Sequence, residues 1–367
     1  MFGLGNVVKR LNLDKESQSF LGVDIGTSSI KVVQLKKEKE RAILETYGEI
    51  AIGPYMNVKV GQAVKLTEEK LEEALRDLIR EASVKARMAI VGVPLRSSFV
   101  TTISLPPGIE GDIGQIVSLE ARRYIPVPIG EVALDWWIIP HRGHEGEGGT
   151  DSEDKQKITQ VLLVATHKDV IERYGRVISK INLKPNAYEI ESFSTIRSSI
   201  GRETAPITIM DMGASTTKIS VVDYGIVRYS HLIDKGAQDL TVALSQSLGI
   251  PFERAETMKR EAGLSKDSSQ REVTSVMEPI LEYIFYEAGN VIREYQRKDK
   301  HTIGRMIILG GGSLLIGLAD FAVKRLSIEV NLSDPFSKVE YPAVFENVLK
   351  KVGPSFAVAV GLALRDL

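Results

Sequence analysis

Residues 20–33 read FLGVDIGTSSIKVV, and residues 207–222 read ITIMDMGASTTKISVV. Asp24, Gly26, Ser28 and Lys31 recur as Asp211, Gly213, Ser215 and Lys218 at the same spacing, each time between two apolar runs. One copy alone is an ordinary tight hairpin turn; two copies imply a duplicated unit of strand, polar turn and strand. The residue types suit a phosphate. A carboxylate at a strand end holds a hydrated Mg²⁺, a glycine lets the chain turn sharply and the anion approach, and small hydroxyl residues leave backbone amides free. The first turn (Asp24, Gly26, Thr27, Ser28, Ser29, Lys31) and the second (Asp211, Gly213, Ala214, Ser215, Thr216, Lys218) are therefore expected to clamp a β/γ-phosphate from both sides. Mg²⁺ is expected between Asp24 and Asp211, while the lysines either add charge or lie outside on their strands.

A third element, MIILGGGSLLIGLAD at 306–320, places Gly310, Gly311, Gly312 and Ser313 between a strand and a helix. Three glycines admit a flat ligand, and a helix N-terminus favours an anion. No G-x-G-x-x-G or G-x-x-x-x-G-K-[ST] fingerprint is present.

The rest of the composition narrows the class. A chain of 367 residues suggests two or three domains. With 47 Lys+Arg against 48 Asp+Glu, nothing points to nucleic acid. Zero cysteines exclude disulfides, thiolate metal sites and cysteine nucleophiles. His141, His144, His167, His231 and His301 are scattered without ligand spacing. Apolar runs such as PSFAVAVGLAL fall short of the roughly 20 residues that span a bilayer. The N-terminus lacks a signal-peptide core, so a cytoplasmic location is expected. Phe2, Leu4, Val7, Val8 and Leu11, near helical spacing beside Lys9 and Arg10, read either as a docking or membrane-surface helix or as a frayed leader.

Along the chain, FLGVDIG, IKVVQLKK and AILETYGEIAI read as three strands. LTEEKLEEALRDLIREASV is an amphipathic helix with Thr67 as N-cap and Leu71, Leu75, Leu78 and Ile79 on one face. The texture changes at about 96. Residues 96–182 read as an inserted α+β module, with a helix over DIGQIVSLEARRYIPVP ended by its prolines and a Gly/Glu-rich loop at 141–157. Trp136 and Trp137 are adjacent on a strand there, so one is expected in the core and the other exposed or at an interface. The second half repeats the three-strand opening. The expected division is an N-terminal segment 1–16, a first domain 17–95 completed by 183–206 and 343–367, the insertion 96–182, a second domain 207–235 and 302–342, and a helical subdomain 236–301.

These motifs resemble the actin/hexokinase/heat-shock ATPase superfamily, with Asp24–Ser29 as its first phosphate motif, Asp211–Thr216 as its second and Leu309–Ser313 as its adenosine motif. The resemblance implies an α/β fold of duplicated RNase H-like, actin-like domains closing on ATP or ADP with Mg²⁺. RAETMKREAG, with Glu256 and Lys259, looks like the helix that contacts ribose and adenine in the bacterial actin-like branch. AVAVGLAL looks like the second interdomain connection, where small residues let two helices cross closely. The inserted α+β module resembles the 1C subdomain of FtsA and PilM. ARRYIPVPIGEVALDWW (Ala121–Trp137) and the leading MFGLG are most similar to the PilM family of type IV pilus assembly proteins. The chain stops at ALRDL where FtsA carries a linker and an amphipathic membrane helix, which favours the PilM branch and puts C-terminal anchoring in doubt.

The PilM resemblance implies a cytoplasmic, ATP-binding adaptor at the inner face of the membrane. Its implied partner is the cytoplasmic N-terminal peptide of a PilN-type inner-membrane protein, held between the first domain and the insertion, with other pilus motor or platform proteins nearby. Membrane contact is then indirect, and self-association stays open. Arg122, Arg123, Tyr124, Ile125 and Pro126 belong to the insertion and either line that groove or form its core helix. Glu191, or Glu189, at the first interdomain connection is the candidate to position a hydrolytic water; the plain alternative is a helix-start carboxylate. At most slow ATP turnover is expected. The rival readings are an FtsA- or MreB-like filament former and a small-molecule kinase of the same superfamily, for which no substrate-side base is identifiable.

Overall fold

The computed structural model describes residues 18–105, 113–139, 159–201, 203, 205–265 and 267–367. The Phe2–Leu11 segment and the loop at 141–157 lie outside the described residues.

Each repeated turn sits at the head of a five-stranded sheet. The first sheet takes β1 (Ser19–Ile25), β2 (Ser29–Glu38), β3 (Arg41–Ala51) and, after α1 (Glu68–Glu81), β4 (Met88–Val93). The chain then makes β5 (Ser98–Ser104), α2 (Ile113–Ala121), β6 (Val132–Ile138), β7 (Gln160–His167) and α3 (Lys168–Lys180) before β8 (Lys184–Ile190) completes that sheet. Helix α4 (Glu191–Ser199) leads to the second sheet, built from β9 (Ile207–Met212), β10 (Thr217–Asp223) and β11 (Ile226–Ile233). Helices α5 (Ala237–Leu248), α6 (Phe252–Ala262) and α7 (Arg271–Asp299) follow. Then come β12 (Arg305–Leu309), α8 (Leu318–Leu326), β13 (Glu329–Leu332), α9 (Glu346–Val352) and α10 (Ala357–Ala363).

The strand orders β3-β2-β1-β4-β8 and β11-β10-β9-β12-β13 are the same pattern. In each, an antiparallel triplet is continued by two parallel strands. The duplication visible in the turns is thus a duplication of whole sheets.

Helix α1 forms because Thr67 Oγ1 accepts a hydrogen bond from the Lys70 amide, Glu68 and Glu69 favour the helix N-terminus, and Leu71, Ala74, Leu75 and Leu78 share one buried face. Burying each of those leucines contributes about 1.5–3 kcal/mol. Tyr174, Val177 and Ile178 of α3 enter the same core, so α3 packs on the first sheet although the sequence grouped it with the insertion. Phe336 and Val339 likewise pack with Val33 and Leu35, and Glu340 exchanges backbone hydrogen bonds with Ala42 and Leu44. The chain has therefore returned to the first lobe before residue 343.

The insertion is the antiparallel sheet β5-β7-β6 with α2 on one face, around Ile103, Val117, Ala121 and Leu163. Helix α2 ends at Ala121, short of the prolines, because the amides of Tyr124 and Ile125 both turn back to the Ala121 carbonyl. Trp136 packs against that core. Trp137 is 49% exposed and meets Phe193 of α4 edge-on, with ring centres 6.0 Å apart.

Helices α4 and α10 cross between the sheets. A Cβ on Gly361 would overlap the Ser194 carbonyl, and one on Gly22 would overlap that of Ala359, so glycine at these two points sets how closely the helices and β1 approach.

Candidate nucleotide site

The two turns have the same local construction. The Gly26 amide donates to Ser29 O at 3.1 Å, and the Gly213 amide to Thr216 O at 2.9 Å. A Cβ would lie 2.8 Å from Ser29 O at the first glycine and 3.0 Å from Thr216 O at the second, which explains the residue type. Thr27 Oγ1 and Ser215 Oγ face each other at 3.1 Å across a cleft of about 1010 Å³. The carbonyls of Gly213 and Ala214 accept from Ala237 and Gln238 at the start of α5. The amides of Thr27, Ser28, Ala214 and Ser215 have no acceptor among the described residues. Such converging, unsatisfied donors fit an anion.

Asp24 is paired across its hairpin with Lys31, and Asp211 with Lys218. The two lysines then part ways. Lys31 Nζ donates to Ser29 Oγ at 2.7 Å and lies 3.1 Å from Glu49. Lys218 Nζ donates to Glu191 Oε2 at 2.7 Å and to Asp211 Oδ2 at 3.0 Å. The third strand decides this, because Lys31 stands beside Glu49 on β3 whereas Lys218 stands beside Leu232 on β11. Alternation along β3 points Glu49 at Lys31, a signal the sequence carried and the motif reading passed over. Burial works against charge on Lys218, but Asp211 and Glu191 outweigh it and hold the ammonium above its ordinary range.

The Asp24 side chain makes no hydrogen bond or ion pair among the described residues, and burial pushes its carboxyl up to about 6. Among the described residues no three His, Asp or Glu side chains converge to chelate a metal. The site therefore offers Asp24 and Asp211 as flanking carboxylates, a donor set that fits an ion keeping most of its own water.

The two glutamates at the first connection stand differently. Glu191 lines the cleft, with Oε1 accepting the Leu95 amide at 2.7 Å, whereas Glu189 is committed to Arg197 at 2.6 and 2.8 Å. Glu256 and Lys259 also line the cleft and are joined at 2.6 Å, with Thr241 and Arg260 donating to the same carboxylate. Burial opposes the Glu256 charge, but these donors, Lys259 foremost, hold its carboxyl below the usual range. Gly310, at φ 86°, packs on Asp211 and Met212, and its amide donates to Pro354 O at 2.8 Å. Gly311 has open space where a Cβ would stand. Ser313 departs from expectation: it is buried, and its hydroxyl turns back to Gly310 O at 2.7 Å instead of facing the cleft.

The segment 53–66 between β3 and α1 crosses the cleft mouth, which the sequence reading missed for want of any motif. The Ala63 amide donates to Gln238 Oε1, Lys59 pairs with Glu253 at 2.6 Å, and Gly61 backs onto Glu256. No described helix is long and apolar enough to cross a membrane.

Known proteins share this architecture. The cell division protein FtsA of Neisseria meningitidis serogroup B is 24% identical over 95% of this chain and 90% of its own length. The PilM-PilN type IV pilus biogenesis complex superposes with a TM-score of 0.77 at 23% identity, covering 94% of this chain and 97% of that one. MreB5 of Spiroplasma citri bound to ADP superposes at 0.52 with 10% identity, covering 94% of each chain. These likenesses show a duplicated, actin-like α/β fold. The sequence profile of the type IV pilus assembly protein PilM matches residues 22–367, and the chain belongs to that family.

Proposed function

We propose that this chain binds ATP or ADP with Mg²⁺ between its lobes. In this reading it uses the nucleotide to adjust its hold on the cytoplasmic N-terminal peptide of a PilN-type inner-membrane protein. The amides of Thr27, Ser28, Ala214 and Ser215 take the terminal phosphates, and Asp24 and Asp211 flank the hydrated ion, which supplies charge neutralisation when bound. Glu256 and Lys259 serve the ribose and adenine end, with open Gly311 admitting the base.

The observation that carries the adaptor reading is the bond from Leu95 N to Glu191 Oε1. Leu95 opens the short turn Leu95–Ser97 that leads into β5, at the root of the inserted module, so a group in the cleft holds the base of the element that forms one wall of the peptide groove. Arg122, Arg123 and Tyr124, exposed beyond α2, are candidates for that wall. The protein then works in the cytoplasm at the inner face of the membrane, recruited by its partner.

Calorimetry with the N-terminal peptide of the neighbouring inner-membrane protein, with and without ATP, tests this. Binding that changes about threefold or more with nucleotide supports it; absence of peptide binding in both conditions overturns it. Sedimentation of the full chain with ATP separates it from a filament-forming role, which predicts pelleting.

A further inference from the structure

The lysine of the second turn stands apart from its counterpart in the first. Lys218 spans two carboxylates on different lobes, Asp211 on β9 and Glu191 at the start of α4, with all three side chains only 10–16% exposed. Its counterpart Lys31 lies near Asp24 but is bonded to Ser29 and paired with Glu49, so only Lys218 bonds directly to the carboxylates Asp211 and Glu191. Glu191 meanwhile has both oxygens occupied, one by the Leu95 amide and one by Lys218. Each oxygen keeps a second lone pair, but two bonds to fixed partners set the direction in which the carboxylate points. One that is to orient or deprotonate a water has to turn toward it.

Resting on the nucleotide-binding reading above, we propose that Lys218 is a built-in counter-ion. It supplies charge neutralisation that would otherwise fall to the metal, and it holds Glu191 away from water, so nucleotide is bound with weak dependence on Mg²⁺ and turned over slowly. Lys218 acts here as a positioning residue, through Glu191 and Asp211. A purely architectural ion pair predicts something else: its loss lowers stability and leaves both metal dependence and turnover unchanged.

The test is ATP affinity of the full chain by calorimetry in Mg²⁺ and in EDTA, with single-turnover hydrolysis alongside. For the unaltered protein the two affinities are expected to agree within about fivefold, and in Lys218→Met to diverge by about thirtyfold or more, as loss of a charged partner implies. Hydrolysis in Lys218→Met is expected to rise about tenfold, and Glu191→Gln in the same background to cancel that gain. A thirtyfold metal dependence in the unaltered protein overturns the proposal. So does an unchanged affinity ratio and turnover in Lys218→Met. Should that variant fail to fold, the two-buffer comparison on the unaltered chain still decides. Absence of ATP binding in both buffers is a different failure, and overturns the nucleotide reading together with this one.

Discussion

Thr27 Oγ1 and Ser215 Oγ lie within hydrogen-bond distance although 188 positions separate them. They are the tips of the two repeated turns, and an anion entering the clamp has to part or bridge them. A partly exposed hydroxyl pair adds only about 0.5–1.5 kcal/mol to stability. Thr27→Val is therefore expected to leave the melting temperature within a few degrees while weakening ATP binding about three- to tenfold, as calorimetry beside thermal denaturation will read.

The glycines of the turns have less latitude. Gly26→Ala and Gly213→Ala each drive a methyl group toward the carbonyl three residues on, more severely at Gly26. Reshaping the turn costs about 1–3 kcal/mol and misaims the free amides. Both variants are expected to lose ATP affinity by about tenfold or more, with Gly26→Ala the worse. Equal affinity in all three proteins would remove the clamp from consideration.

Asp24 gives a pH dependence of defined sign. Its folded-state carboxyl titrates at about 6 against 3.8 in an exposed chain, chiefly through burial. The native state thus holds the proton longer, and stability declines as pH rises from about 4 to 6, by on the order of 1–3 kcal/mol. Asp24→Asn is expected to melt higher than the unaltered protein at pH 7.5, with the gain vanishing near pH 4–5 and Mg·ATP affinity reduced. Thermal denaturation across that range checks both the sign and the window.

At the far end of the cleft, Lys259 reaches Glu256 Oε2, Thr241 Oγ1 and the Ala237 carbonyl. Lys259→Met leaves Glu256 with Arg260 and Thr241, so the expected loss is about 1–3 kcal/mol rather than the full cost of orphaning a buried charge. Affinity for ADP is expected to fall more than affinity for inorganic triphosphate, since only the former engages that wall. Competition titrations with the two ligands distinguish these.

Trp137 is a reporter of the inserted module, because it rests edge-on against Phe193, two residues along α4 from Glu191. With Trp136→Phe in place, its emission is expected to shift on adding ATP, and Phe193→Ala to abolish that shift. A fluorescence titration that is silent in both proteins would sever the cleft from the module.

The repeat in the two turns, the helix α1 and the paired sheets were legible because each rests on a local pattern: a fixed spacing, a buried stripe, an alternation. The rest depends on neighbours distant in the chain. Whether a lysine turns inward follows from Glu49 or Leu232 standing on the third strand, and so needs the register. Ser313 looked like a ligand because its motif says so, but a one-turn bend returns its hydroxyl to Gly310. Helix α3 reads as part of the insertion by sequence order, and only the packing of Tyr174 and Val177 beside Leu71 and Leu75 assigns it to the first sheet.

The crossing strap at 53–66 is a tie between the two halves that salt can loosen. Its Lys59–Glu253 pair is exposed, and such pairs hold by only about 0–1 kcal/mol each in salt. Together with the Ala63–Gln238 bond it ties the strap to α5 and α6 across the cleft mouth. Ionic strength therefore reaches the tie between the lobes at the rim while leaving the two turns beneath untouched.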